Sequence, residues 1–320
     1  MKSNLNHYRI FFLAIIVSIA LLPSCRKDVV KIGSLRVDTI TVIKHDTVAP
    51  PEPPGSPIRP ITASSNPYVT ALFDFKPAPG QFINTTLGDT TAAKGVLKGT
   101  QGLVSLGAWG GYIILGFDHT VLNAPNANDL IVFGNPIPNI FAEPGVIWVM
   151  DDKNGNGKPD DTWYELKGSQ FDHDGYVRNY QVTYTRPAND ADDIPWTDNQ
   201  GGSGFVKRNI YNTQPTYFPG WVNGRTLTVS GTLLPSTNID DSNPQYITSR
   251  PFDFGYSDST YGGDKVDISN AIDKDGKRVK LKGIDFIKVQ TGVLYDMGWL
   301  GEQSTEVCGA ADLSIVKLDQ

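Results

Sequence analysis

An all-β fold, with two antiparallel sheets packed face to face as a jelly-roll-like β-sandwich, is what this sequence predicts, and three observations predict it. The chain of 320 residues carries 32 glycines, 22 prolines and 13 tyrosines, a composition of strands and tight turns. Beyond residue 30 no stretch sustains a helical apolar period. Short β-branched and aromatic runs stand instead between clusters of Gly, Pro, Asn and Asp, without the β-α alternation that signals a parallel sheet.

Three segments follow in order: 1–24, 25–65 and 66–320. In the first, Lys2 and Arg9 accompany an apolar run from Ile10 to Leu22. That run is shorter than the ~20 residues a membrane-spanning helix needs, so it reads as the core of a signal peptide. It ends at Leu22-Pro23-Ser24-Cys25, which resembles a lipobox, so Cys25 is expected to carry a diacylglyceryl anchor after cleavage. Each buried CH₂ of such an anchor contributes ~0.8 kcal/mol, enough for two or more chains to hold a protein on a membrane. The second segment contains the proline-rich run 48–57 and is expected to be an extended stalk. Asp38-Thr39-Ile40 and Asp46-Thr47-Val48 within it match a short acceptor pattern for O-glycosylation.

In the third segment the expected strands are 68–75, 112–117, 130–133, 146–150, 162–166, 180–185, 205–211, 226–234, 280–281 and 284–291. Thr226–Ser230 and Asp285–Val289 alternate between apolar and polar, as half-buried strands do. The net charge of −6 and the scattered lysines and arginines give no basic stripe, which argues against a nucleic-acid partner. The second of the two cysteines, Cys308, has no disulfide partner if Cys25 is acylated and reads as a small buried residue.

The most chemical stretch is 151–161. Counting from Asp152, side-chain oxygens fall at positions 1 (Asp152), 3 (Asn154) and 5 (Asn156), followed by Gly157 at 6. The Lys158 carbonyl stands at 7 and Asp160 at 9. This is the first half of a calcium loop, in which alternate residues turn their oxygens toward a hard cation that takes six to eight of them. Trp163 replaces the closing glutamate at 12, so Asp161 or Glu165 is the alternative closing carboxylate. A structural Ca²⁺ is the expected cofactor; the competing reading is a pair of Asn-Gly turns with solvated charges. A second acidic region, Asp258, Asp264, Asp267, Asp273 and Asp275, reads mainly as turns.

The order of Pro77–Phe82, Gly110–His119, Asp129–Asn135, Glu143–Val146, the loop with Trp163–Leu166, Phe252–Tyr256, Val266–Ala271 and Ile284–Thr291 resembles a family of Bacteroidota surface lipoproteins, known only as cell surface proteins. Over residues 67–315 the resemblance implies a β-sandwich and a lipid-anchored place on the outer membrane; Arg26-Lys27-Asp28 is no clear acidic surface-export signal, so cell-surface display is the expectation and the periplasm the open alternative. It also implies an accessory role beside outer-membrane transporters in nutrient capture, with corrinoids (cobalamin and its relatives) as one ligand class.

Candidate ligand contacts are Asp118, Asp129, Asn135 and Glu143, which flank apolar strands, against a plainer role in capping turns. Trp196, Tyr217 and Trp221 lie among Gly, Asn and Pro, where exposed aromatic rings stack on a sugar or a corrin edge; the plainer role is core packing. No nucleophile elbow, zinc-binding His-Glu-x-x-His or phosphate loop is present, and the chain has four histidines, of which His7 and His45 precede the domain. The sequence therefore favours a non-catalytic surface module binding a glycan or corrinoid. A glycan hydrolase using a carboxylate pair and a structural or adhesive module are the alternatives.

Overall fold

The computed structural model describes residues 56–318, so Cys25, the signal segment and most of the proline-rich stretch lie outside the described residues. In chain order the elements are β1 (Ala71–Lys76), α1 (Thr90–Gly95), β2 (Val104–Ser105), β3 (Tyr112–Leu122), β4 (Leu130–Phe133), β5 (Gly145–Met150), β6 (Tyr164–Leu166), β7 (Val177–Thr185), β8 (Ile194–Asp198) and β9 (Ser203–Val206). There follow β10 (Thr226–Leu233), β11 (Ile239–Asp240), β12 (Thr248–Ser249), β13 (Tyr256–Ser257), β14 (Asp264–Val266), β15 (Ala271–Ile272), β16 (Gly283–Thr291), β17 (Glu306–Val307) and β18 (Gly309–Asp312). Among the described residues no helix is long and apolar enough to cross a membrane.

The all-β expectation is borne out, and the sandwich is assembled from several antiparallel sheets. Seven strands form the largest, in the order β1-β3-β16-β5-β6-β15 with β13 joined to β5. A three-stranded sheet, β14-β4-β18, covers one of its faces. Ile113, Leu115, Ile147, Val149, Ile287 and Val289 of the large sheet meet Leu130, Val132 and Ala310 in a core sealed from water. Burial of such apolar surface, at ~25 cal/mol per Å², is the main force holding the layers together. A four-stranded sheet, β10-β7-β8-β9, has a core of its own around Trp109, whose ring meets Tyr180 edge-on at 4.8 Å.

Most expected strands are present with shifted ends. Strand 205–211 shrinks to β9, because past Val206 the chain turns to let Tyr217 and Gln81 bond Asn209. The expected strand 280–281 is absent, although Leu281 is buried. The simple alternation through 285–289 is also broken. A bulge between Ile284 and Phe286 turns both Ile284 and Ile287 into the core and leaves Phe286 edge-on to Phe73 at 5.1 Å.

The folded body begins earlier than the expected end of the stalk at residue 65. The Arg59 N–H donates to the Thr120 hydroxyl and its carbonyl accepts from the Thr120 N–H, and its guanidinium reaches the fully buried Asp285 at 2.8 and 3.0 Å. Ser56 donates to Asp151. A buried carboxylate needs a counter-charge, and here it comes from a segment whose composition reads as linker.

Candidate functional site

The strands and their loops enclose a cavity of about 470 Å³ with apolar walls and an acidic floor. Phe82, Phe141, Ile137, Ile140, Tyr246 and Trp299 form the walls and rim. Ile137, Tyr246 and Trp299 are about half exposed or more (54%, 60% and 48%), an unusual concentration of apolar surface in contact with water. A second recess, sharing Phe82, Phe141, Glu143, Trp299, Leu300 and Glu306, extends the cavity toward Tyr211 and Asn212.

The floor consists of Glu143, Asp258 and Glu306, with one oxygen from each lying within 4.8 Å of the others. Three different pairings bring them together. Glu306 lies on β17, which pairs with β2; Asp258 follows β13, which pairs with β5; and Glu143 precedes β5. Asp258 adopts a left-handed backbone (φ 53°) and accepts bonds from the backbone N–H groups of Asn135 (2.8 Å) and Glu306 (2.9 Å). Gly134 allows this approach, since a Cβ there would stand 2.3 Å from an Asp258 oxygen. Glu143 accepts from the backbone N–H of Ser304 at 2.9 Å, and the Ser304 hydroxyl donates to Glu306 at 3.1 Å.

All three carboxyls are held above the usual carboxylate range. For Glu143 the cause is burial first, then the charge of Glu306 and the hydrogen bond to it. For Asp258 it is burial and then the Glu306 charge, and for Glu306 it is burial. Like charges this close in an apolar setting oppose one another's ionisation, so burial and the neighbouring charge favour the protonated form. A carboxyl and a carboxylate side by side offer both a donor and an acceptor to whatever enters. As cation ligands they are less well suited, because both Asp258 oxygens already serve backbone N–H groups and the cavity walls are apolar.

The side chains of the 152–161 loop bond within the loop itself. Asp152 accepts from the backbone N–H groups of Asn156 (3.1 Å) and Gly157 (2.8 Å), and the Asn154 side-chain oxygen accepts from Asn156 N–H (3.0 Å). The amides of Asn154 and Asn156 both donate to Asp160, and these bonds hold its carboxyl below the usual range. Asp152, Asn154, Asn156 and Asp160 thus meet, while the Lys158 carbonyl accepts from Asp160 N–H. Rotating the two amides would turn their oxygens inward, and the resulting set of hard oxygens fits a calcium ion. Asp161 closes back on the start of the loop, accepting from the backbone N–H groups of Lys153 (2.9 Å) and Asn154 (3.5 Å). Glu165, the other candidate for closing the loop, is bonded to Tyr176 and Thr232 instead.

Of the ligand contacts expected from sequence, Glu143 lies in the cavity floor and Asn135 in its wall. Asp118 does not line it; it accepts from Asn66 N–H and bonds the buried His119, whose other ring nitrogen meets Asp312 at 3.0 Å. Asp129 accepts from the backbone N–H groups of Ala124 and Ile268, as a turn cap does. Tyr217 is fully buried, and its hydroxyl donates to the Asn212 carbonyl, so it belongs to the core and presents no face to a ligand. Trp196 packs against the core of the four-stranded sheet. Trp221 is exposed, but it lies under Lys76 and donates to the Pro77 carbonyl, outside the cavity. Of the second acidic region, Asp264, Asp267 and Asp273 accept from neighbouring backbone N–H groups, and only Asp258 joins the cavity. Sequence reasoning missed Glu306, Tyr246 and Trp299. The only local signal was an aromatic residue beside glycine at 298–299. Cys308 is a free thiol against the Gly134 carbonyl, and burial raises it to about 11. No protein-family model matches this chain, and no curated protein matches it.

Proposed function

We propose that this chain is a lipid-tethered, non-catalytic binding module of the outer-membrane surface. It takes an extracellular ligand, a glycan or a corrinoid, into the cavity floored by Glu143, Asp258 and Glu306, as an accessory to a nutrient transporter. The observation that carries this reading is the pairing of an open apolar cavity of about 470 Å³ with a floor of three clustered carboxyls. Pockets that bind small molecules are built this way, with apolar walls for affinity and a few polar groups for orientation. The carbon face of a sugar, or the rim of a corrin, covers Trp299 and Tyr246. Hydroxyl or amide groups reach the floor, which both donates and accepts.

Hydrolysis is the weaker reading. Glycosidases hold two carboxyls ~5 Å or more apart, facing each other across the scissile bond. Here oxygens of Glu143, Asp258 and Glu306 crowd within 4.8 Å of one another.

The test is calorimetry on the full mature chain with neutral and acidic oligosaccharides and with cyanocobalamin. Heat of binding is expected with one class, weakened roughly tenfold by Trp299→Ala, the scale of a lost aromatic contact. No heat with any member of either class would sink the proposal.

Calcium in the 152–161 loop is the second part of the reading, supported by the mutual approach of Asp152, Asn154, Asn156 and Asp160. With calcium about 100-fold above its dissociation constant, the fold gains about 2.7 kcal/mol. For a domain of this size that is a rise in Tm of about 5–10 °C. Differential scanning fluorimetry with calcium and with chelator checks it, and superimposable melts would remove the metal from the proposal.

A further inference from the structure

On the face of the large sheet opposite its main core, three residues form one cross-strand row. Lys288 of β16 pairs with Trp148 of β5, and Trp148 pairs with Glu165 of β6. With β7 and β10 facing them, they line a separate cavity of about 250 Å³, closed at its edge by Trp163, Arg178 and Lys274. The Lys288 ammonium stands 4.4 Å from the Trp148 ring, 5.8 Å from Tyr112 and 5.9 Å from Trp163. Among the described residues it has neither an ion-pair nor a hydrogen-bond partner. The one acid near it, Glu165, already accepts from the Tyr176 and Thr232 hydroxyls. Trp148 Nε1 is a second buried donor with no acceptor.

The two unused groups are thus both donors, one of them charged, and the ammonium sits against aromatic rings. Lys288 is half-buried, its ammonium lies against aromatic rings with no anion beside it, and burial lowers it to about 8. The other charges around the cavity do not supply one. Asp273 accepts from the backbone N–H groups of Asp275 and Lys277, and Lys274 is paired with Asp275 at its exposed tip. Arg178 adds a second positive group at the opening, donating to the Lys274 carbonyl.

We infer that this cavity binds an acidic sugar, with the sugar carboxylate on Lys288 and the ring face against Trp148 and Trp163. The indoles provide the stacking surface, and the carboxylate gives the ammonium and Trp148 Nε1 the acceptor they lack. Asn179, Ser230 and Thr232 at the wall offer amide and hydroxyl groups to the ring hydroxyls. The site is separate from the carboxyl-floored cavity and stands whether or not that cavity binds anything.

The test is titration of the full mature chain, read by tryptophan fluorescence and calorimetry, with a galacturonate trimer, the neutral galactose trimer and acetate. The acidic trimer is expected to bind at least about tenfold tighter than the neutral one, the scale of one charge-assisted hydrogen bond. Lys288→Met should erase that preference and Lys288→Arg retain it. Trp299→Ala, which alters only the other cavity, should leave it unchanged. Because Lys288 has no ion-pair or hydrogen-bond partner to lose and methionine keeps contact with the rings, Lys288→Met is expected to melt no lower than the parent. Equal affinity for the two trimers, no binding of either, an unchanged preference in Lys288→Met, or displacement of the trimer by an equal concentration of acetate would each overturn the inference.

Discussion

Arg59→Ala is expected to destabilise the domain by about 3 kcal/mol and to lower its Tm by about 6–12 °C. The reason is the group it leaves behind. Asp285 has no exposed surface, and its carboxylate is held by two guanidinium bonds, by the Thr120 hydroxyl (2.7 Å) and by the backbone N–H of Asp152 (2.8 Å). Removing the arginine leaves a buried charge with two neutral donors. Losing one partner of a buried pair costs about 3–5 kcal/mol, and the lower end applies because the Arg59 side chain is 35% exposed. Asp152 opens the proposed calcium loop, so the same substitution also loosens the loop's first ligand and should weaken any calcium-dependent rise in Tm. Thermal melts of the parent and the variant, each with calcium and with chelator, measure both effects. A Tm within about 1 °C of the parent would mean that residues 56–66 are not part of the folded body, contrary to the structure.

That interaction also marks where the sequence stops being legible. β10 and the extent of β16 could be read directly, because long β-branched runs are bounded by turn residues, whereas β3 was read only as far as 117 of its 112–122, since Asp118 and His119 resemble a turn. β18 could not, since Gly309-Ala310-Ala311-Asp312 has no strand-forming residue and is a strand only because β4 lies beside it. β8 was hidden by Pro195, which reads as a breaker yet sits between β7 and β9. The acidic loop was legible because its ligands are neighbours in sequence. The carboxyl floor was not, because Glu143, Asp258 and Glu306 are brought together by pairings between distant strands. Glu143 was noticed for its place beside a strand and Asp258 for its acidic surroundings, while nothing around Glu306 set it apart. Lys288 carried a signal that was passed over: a lone lysine within Ile-Asp-Phe-Ile-Lys-Val, which reads as alternation until the structure shows it facing a cavity without a counter-ion.

The same buried acids predict a pH dependence opposite to that of most folded proteins. Burial raises Glu302 from 4.5 to about 8 and Asp264 from 3.8 to about 6, and it raises Glu143, Asp258 and Glu306 as well. A carboxyl whose folded pKa lies above its unfolded one keeps its proton in the native state after the unfolded chain has released it. Its contribution is complete below the unfolded pKa and is lost as pH rises through the folded pKa. For Glu302 that window runs from 4.5 to about 8. At about 1.4 kcal/mol per pH unit the cost accumulates to several kcal/mol from this residue alone. Stability is therefore expected to fall steadily between pH 5 and pH 8. The exposed carboxyls with lowered values, Asp160, Asp198 and Asp273, act only at lower pH. Lys288, lowered to about 8, works the other way but only above that value. Denaturant melts in chelator, which removes any contribution from calcium, would show the trend. Glu302→Gln isolates its largest single source: it keeps an oxygen for the Gln81 N–H, now bonded at 2.9 Å, and removes the titration. Glu302→Gln should match the parent at pH 5 and exceed it by several kcal/mol at pH 8. Parallel curves for the two proteins would show that Glu302 is already ionised in the fold, and a flat parent curve would show the same of the buried acids as a group.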